Sequence, residues 1–250
     1  MRKTAVAIGV CLLFSLSAWA QEKGNVAEAI VTKPKAGHTA QYEAGRKRHM
    51  AFHKKQNDTF SWMTYEILSG DNTGSYVTVS PNHEWKDFDG REKFDAADSA
   101  DVAINLTPHA ESTTVHYYVY RPDMSNPPEG NPEPVLVQTT HFYVRPEGQA
   151  DFVAGVRKIT EAGKKTNSPG RPMWYQLVSG GEGPRFVLRQ LRKNWAEFQP
   201  PDKTLDAMVE EAFGKEEAEK ILSHVRKNIR YTVSYTSRYR PDLSYVPAAQ

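Results

Sequence analysis

Cysteine is almost missing from this chain. The single one, Cys11, sits inside an apolar N-terminal stretch. Without that stretch, no disulfide, thiol nucleophile or cysteine-bound metal is open to the protein. Long apolar runs are missing everywhere else, so no membrane span is expected in the remainder. A surplus of charge is missing too. The chain has 32 basic and 30 acidic residues, and removing Arg2 and Lys3 from the basic count leaves 30 against 30. That balance excludes generic nucleic-acid binding, which needs a basic footprint. No G-x-G-x-x-G, P-loop or G-x-S-x-G motif occurs. His49 and His53 have the four-residue spacing of helical zinc ligands, but Met50 stands where a zinc-protease helix carries its glutamate. With Arg48, Lys54 and Lys55 around them, a solvated basic face is expected there, and no metal site.

The N-terminus reads as a secretory signal. Arg2 and Lys3 supply the positive segment, Ala5 to Ser17 the apolar one, and Ala18-Trp19-Ala20 the cleavage site. The apolar run is shorter than the roughly 20 residues that span a bilayer. A lipoprotein reading of Cys11 fails because Val10 precedes it where a small residue is wanted. Residues 1–20 are therefore expected to be removed and the mature chain to begin at Gln21, in the periplasm or secreted.

The rest of the chain says one thing twice. Tyr120-Arg121-Pro122-Asp123-Met124-Ser125 returns as Tyr239-Arg240-Pro241-Asp242-Leu243-Ser244. At an offset of 110, Ala44-Gly45 matches Ala154-Gly155, Tyr65 matches Tyr175, Ser69-Gly70 matches Ser179-Gly180, and Trp85 and Phe88 match Trp195 and Phe198. Ordered matches with small offset changes are the mark of an internal repeat. Two units follow, 21–125 and 135–250, joined by a proline-rich linker at 126–134 that can be neither helix nor central strand.

Each unit reads as β-α-β-β-α-β, the ferredoxin-like order. In the first unit, Val26 to Val31 is a strand stopped by Pro34 and Gly37. A helix spans His38 to Gln56, and strands follow at Phe60 to Leu68 and Ser75 to Val79. A broken helical region covers Lys86 to Leu106, and Thr113 to Tyr120 closes the unit. The second unit places strands at Val135 to Val144, Met173 to Val178, Arg185 to Arg189 and Tyr231 to Tyr239, the last with an expected bulge. Its helices are read at Ala150 to Lys165 and Thr204 to Ile229. A ferredoxin-like unit covers one sheet face with helices and must bury the other. The fold class is therefore α+β, with the two tandem units packed as an intrachain α/β barrel.

The segment from Tyr143-Val144-Arg145-Pro146-Glu147-Gly148 through Phe152 to Trp195-Ala196-Glu197-Phe198 resembles the dimeric α/β-barrel superfamily, its antibiotic-biosynthesis-monooxygenase-like and NIPSNAP-like members above all. Trp85-Lys86-Asp87-Phe88 fits the same aromatic pattern. The resemblance implies a barrel. It leaves activity open, because the superfamily holds cofactor-free oxygenases, haem enzymes, small-molecule isomerases and proteins of no known activity.

Candidate site residues come from strand alternation. If Val115, Tyr117 and Val119 face the helices, His116, Tyr118 and Tyr120 face the barrel interior. His141 and Tyr143 share one face of their strand, where the first unit has Ala29 and Val31. His116, Tyr118, His141 and Tyr143 are thus expected around a ligand, with either histidine able to act as a base or iron ligand. Tyr65 and Tyr175 are further candidates for an aromatic wall. Trp85 and Trp195 read as packing residues, and Glu66, matched by Gln176, reads as a charge near a strand end rather than a buried general base. The Arg-Pro-Asp repeats read as turns with a local ion pair. The expected function is binding of a small apolar or aromatic ligand between the two sheets. The alternatives are a cofactor-independent oxygenase or haem-dependent enzyme, and an envelope interaction protein with a solid barrel and an exposed aromatic patch from Tyr235, Tyr239 and Tyr245. Cofactor and ligand identity stay open, as does the choice between monomer and homodimer.

Overall fold

The computed structural model describes residues 24–130 and 135–247. The expected signal segment and residues 131–134 of the proline-rich linker lie outside the described residues. Strands β1 (Val26–Pro34), β2 (Met63–Ile67), β3 (Tyr76–His83) and β4 (Ala110–Tyr120) enclose helices α1 (Thr39–Lys55) and α2 (Glu92–Asn105) in sequence. Strands β5 (Leu136–Val144), β6 (Met173–Ser179), β7 (Arg185–Arg192) and β8 (Ile229–Tyr239) follow, with α3 (Gln149–Lys165), α4 (Leu205–Phe213) and α5 (Lys215–Arg226). β1 runs through Pro34 instead of stopping before it. A proline is tolerated there because it closes the strand, at a register shift opposite Ala110. The bulge expected in β8 lies at its start, where Tyr143 pairs with Tyr231 and Val144 with Ile229.

All strand pairs are antiparallel, and their pairing runs β1-β3-β2-β8-β5-β7-β6-β4 and back to β1. The ring is uneven. β1 pairs with β4, and β5 with β8, along their whole shared length. β2 meets β8 only over Tyr65–Ile67 against Ser237–Tyr239, and β4 meets β6 over Tyr117–Tyr120. These two short joints are reinforced by the repeated motif. After β4, Arg121 forms a bidentate pair with Asp123, at 2.9 and 2.8 Å, and donates to Gln176 of β6. After β8, Arg240 pairs with Asp242 at 2.9 and 3.0 Å and reaches Glu66 of β2 at 3.1 Å. Main-chain bonds match as well: Arg121 N donates to the Trp174 carbonyl and Arg240 N to the Thr64 carbonyl, both at 2.8 Å. The forked guanidinium suits this role because it binds a carboxylate at two points and still has a donor to spare. Glu66 is therefore a structural carboxylate.

The helices cover the outside of the ring. Phe152 of α3 is fully buried with Val144, Val156 and Phe186, and its ring lies 5.1 Å from Phe186 and 6.1 Å from Trp174. The repeated Ala-Gly pair explains the close helix spacing. A Cβ on Gly45 would lie 1.9 Å from the Asn105 carbonyl oxygen of α2, and one on Gly155 would lie 2.5 Å from Val225 of α5. One expectation is overturned here. The α1 face bearing His49 and His53 is no solvated basic face: both histidines and Arg46 are buried. α2 lies over them and supplies acidic partners some fifty residues away, which local charge counting cannot see. No helix of the described residues is long and apolar enough to cross a membrane.

Candidate functional site

Strand alternation decides which side chains enter the ring. β1 contributes Ala27, Ala29 and Val31, all small. β4 contributes His116 and Tyr118, β5 His141 and Tyr143, and β7 Arg185, Val187 and Arg189. Ala29 is the direct cross-strand partner of His116, and His141 is flanked by Val187 and Val233. Small residues on β1 facing large polar ones on β5 and β7 leave a cavity of about 320 Å³, within the size range of small-molecule sites. Half-exposed Lys33, paired with Glu111 at 2.9 Å, stands at its rim.

Arg185 organises the lumen. It is 7% exposed. Its Nη1 donates to the Tyr143 hydroxyl at 3.2 Å and its Nη2 to the Tyr118 hydroxyl at 3.0 Å. The same Nη2 lies 3.3 Å from His116 Nδ1. A guanidinium has no acceptor, so that nitrogen carries the lone pair. Arg185 Nε is buried with no hydrogen-bond partner. Among the described residues, no aspartate or glutamate lines the cavity, and the nearby Glu182 is engaged by Arg230 at 2.7 Å and Tyr231 at 2.8 Å. A second arginine, Arg189, faces the same space, with its guanidinium carbon 5.3 Å from the Tyr65 ring centre.

The titratable groups respond to this charge. Burial, then Arg185, then His116 push His141 down to about 4. Burial and Arg185 likewise lower His116. Both imidazoles are therefore neutral at neutral pH. His141 Nδ1 is buried and has no hydrogen-bond partner. Burial raises the Tyr118 phenol well above its ordinary range, against the opposing pull of Arg185.

Of the residues picked from the sequence, His116, Tyr118, His141, Tyr143 and Tyr175 line one cavity. Tyr65 does not. It is 1% exposed and packed in the β2/β8 joint with Val77, Val137 and Tyr239. Trp85 and Trp195 lie outside the ring and are about half exposed, at 49% and 55%. Trp85 rests on Phe88 and Tyr117, and Trp195 on Phe198. The tail tyrosines form no exposed patch: Tyr235 lines the cavity, Tyr239 packs on Tyr65, and the Tyr245 hydroxyl donates to the Asp58 carbonyl at 2.8 Å. Sequence reasoning missed Arg185, Arg189 and Tyr235. A signal was present in the alternation of Arg185-Phe186-Val187-Leu188-Arg189, which puts two arginines on one strand face.

No protein-family model matches the chain, and no curated protein matches it. Solved structures do. A monooxygenase candidate from Lactobacillus acidophilus superposes with a TM-score of 0.55 at 8% identity, covering 91% of this chain and 99% of its own. An anthrone oxidase-like protein gives 0.52 at 15% identity, with 92% and 98% covered. A mutant chlorite dismutase from Candidatus Nitrospira defluvii gives 0.54 at 11% identity, with 88% and 93% covered. The shared fold is a ring of antiparallel strands with helices outside it. At such identities the likeness extends to the fold alone.

Proposed function

We propose that the protein binds a small organic anion with an apolar or aromatic body inside the ring of strands. The observation that carries this reading is Arg185: a buried guanidinium whose partners are all neutral, in a cavity with no lining carboxylate. Holding an uncompensated charge out of water costs several kcal/mol, and an anionic ligand offsets that cost. Val187, Val233 and Tyr235 give the apolar wall for the ligand's body. Calorimetric titration of the full-length chain with 4-hydroxybenzoate tests this. Binding of one molecule per chain is expected, weakened at least about tenfold by Arg185→Gln, in line with the worth of a charged hydrogen bond. Equal affinity of the parent and the variant, or of phenol and 4-hydroxybenzoate, overturns it.

A second reading, catalytic proton abstraction, is favoured by His141. Its ring is neutral and lines the cavity, and its Nδ1 has no hydrogen-bond partner. A ligand proton would pass to the lone-pair nitrogen of that ring while Arg185 takes up the charge left behind. This is the chemistry a cofactor-independent oxygenase would need at its first step.

The same element order in both halves, with one motif closing each short joint, supports reading 21–125 and 135–250 as tandem ferredoxin-like units. Export is also part of the proposal. It rests on the N-terminal pattern alone, and N-terminal sequencing of the protein from its host should begin at Gln21.

A further inference from the structure

A second buried polar centre lies on the other side of the sheet, between α1 and α2. His53 Nδ1 is 2.9 Å from Asp58 Oδ2, and Asp58 also accepts from Trp62 Nε1 at 2.8 Å, Arg91 Nη1 at 3.0 Å and the Phe60 amide at 3.1 Å. A carboxylate so surrounded by donors is ionised and accepts only, so His53 carries its proton on Nδ1. His49 repeats the arrangement. Its Nδ1 is 2.8 Å from Asp101 Oδ1, which also accepts from Asn105 Nδ2 at 3.0 Å. Both Nε2 atoms are then lone-pair nitrogens, yet they face each other at 3.1 Å. A third acceptor, Asp98 Oδ1, lies 3.3 Å from one and 3.6 Å from the other, and it is buried with no hydrogen-bond donor.

Three acceptors turned toward one point need a cation between them. A proton shared by the two nitrogens satisfies that pair and leaves the carboxylate oxygen bare, whereas one metal ion satisfies all three. The spacing agrees. Ligand atoms held at about 2.0–2.1 Å from a tetrahedral zinc ion lie about 3.3 Å apart, and the three separations here bracket that value. We infer that His49 Nε2, His53 Nε2 and Asp98 Oδ1 form a site for a divalent first-row transition metal of the zinc type, with the fourth position left to water or a ligand.

The surroundings are those of a built site. Each histidine is oriented through its other nitrogen by a carboxylate, the usual outer support of a metal-bound imidazole. His53 stands 5.3 Å from the Trp62 ring and 5.7 Å from Phe94, and His49 stacks on Phe52 at 6.1 Å. Four carboxylates, of Asp58, Asp95, Asp98 and Asp101, stand against three guanidiniums, of Arg46, Arg48 and Arg91. A bound divalent ion therefore enters a centre with negative charge to spare. The corresponding α3 positions at the offset of 110, Ile159 and Gly163, carry no such groups.

The test uses the full-length chain stripped with a chelator and dialysed, then titrated with Zn2+ by calorimetry and loaded separately with Co2+. One equivalent per chain is expected, together with the strong visible bands of four-coordinate cobalt. Asp98→Asn, a change of nearly equal shape, should weaken Zn2+ binding at least about tenfold, and His49→Gln should remove the cobalt bands. His224→Gln, at an exposed histidine on α5, should change neither. Circular dichroism checks that each variant is folded. A folded parent chain that takes up no metal overturns the inference, as does Zn2+ binding that survives unchanged in both Asp98→Asn and His49→Gln.

Discussion

Two buried centres in this chain stand opposite in charge. In the lumen, Arg185 is held by two phenols and an imidazole, with no carboxylate among its hydrogen-bond partners. Between α1 and α2, three carboxylates gather round two imidazoles, and one oxygen is left without a donor. Neither arrangement is what packing for stability alone would select, because a well-packed apolar core does better than an unbalanced buried charge. The α3 side supplies the contrast, since Phe152, Val156 and Phe186 there form an ordinary apolar core. The difference teaches where to look for function: one centre is short of an anion, the other of a cation.

The comparison can be broken in graded steps. The largest effect is expected in the apolar reference. Phe152→Ala should cost about 3–5 kcal/mol in urea denaturation, and a loss below about 1 kcal/mol would mean that the α3 side is not the main source of stability. Next is the α1–α2 centre. Asp58→Asn leaves Arg91 and three further donors facing a neutral amide, and should cost about 3 kcal/mol. If it costs nothing, that centre is not the tightly paired cluster described above.

The lumen is probed by pH. His141 is lowered from 6.5 to about 4 in the folded chain, so the unfolded chain binds its proton first. Stability contributed by the neutral ring is therefore complete above about pH 6.5 and lost as pH falls toward 4. The drop attributable to this residue is about 3 kcal/mol. His141→Gln should flatten the stability–pH curve in that window, and an unchanged curve would place the ring in water. The smallest effect has the opposite sign. Arg185→Met should stabilise the ligand-free chain by about 1 kcal/mol by removing the uncompensated charge. A destabilised variant would mean that the charge is already balanced.

Much of the fold is legible along the chain because its determinants are local or repeated. The two Ala-Gly pairs that set helix spacing and the two Arg-Pro-Asp turns that close the short joints are both visible as text. Alternation in β4 brings His116 and Tyr118 to the lumen side without any tertiary information. What was hidden depends on partners distant in sequence. The burial of His49 and His53 is set by Asp98 and Asp101 on another helix. Tyr65 has the right parity for the cavity, but it stands in the short joint itself, opposite Tyr239 of β8, a pairing the sequence does not display. The role of Arg185 depends on Tyr118, His116 and Tyr143, which reach it from other strands.

The lopsided lumen has a consequence for symmetry. A ring built from two identical subunits must present every lining residue twice, so whatever it holds meets the same groups from both sides. Here both walls belong to one chain, and they differ: Ala29 and Val31 on β1, His141 and Tyr143 on β5. The interior therefore has a head and a tail. On the proposed reading, a guest would meet different groups at its two ends, and one chain would offer a single berth rather than a mirrored pair.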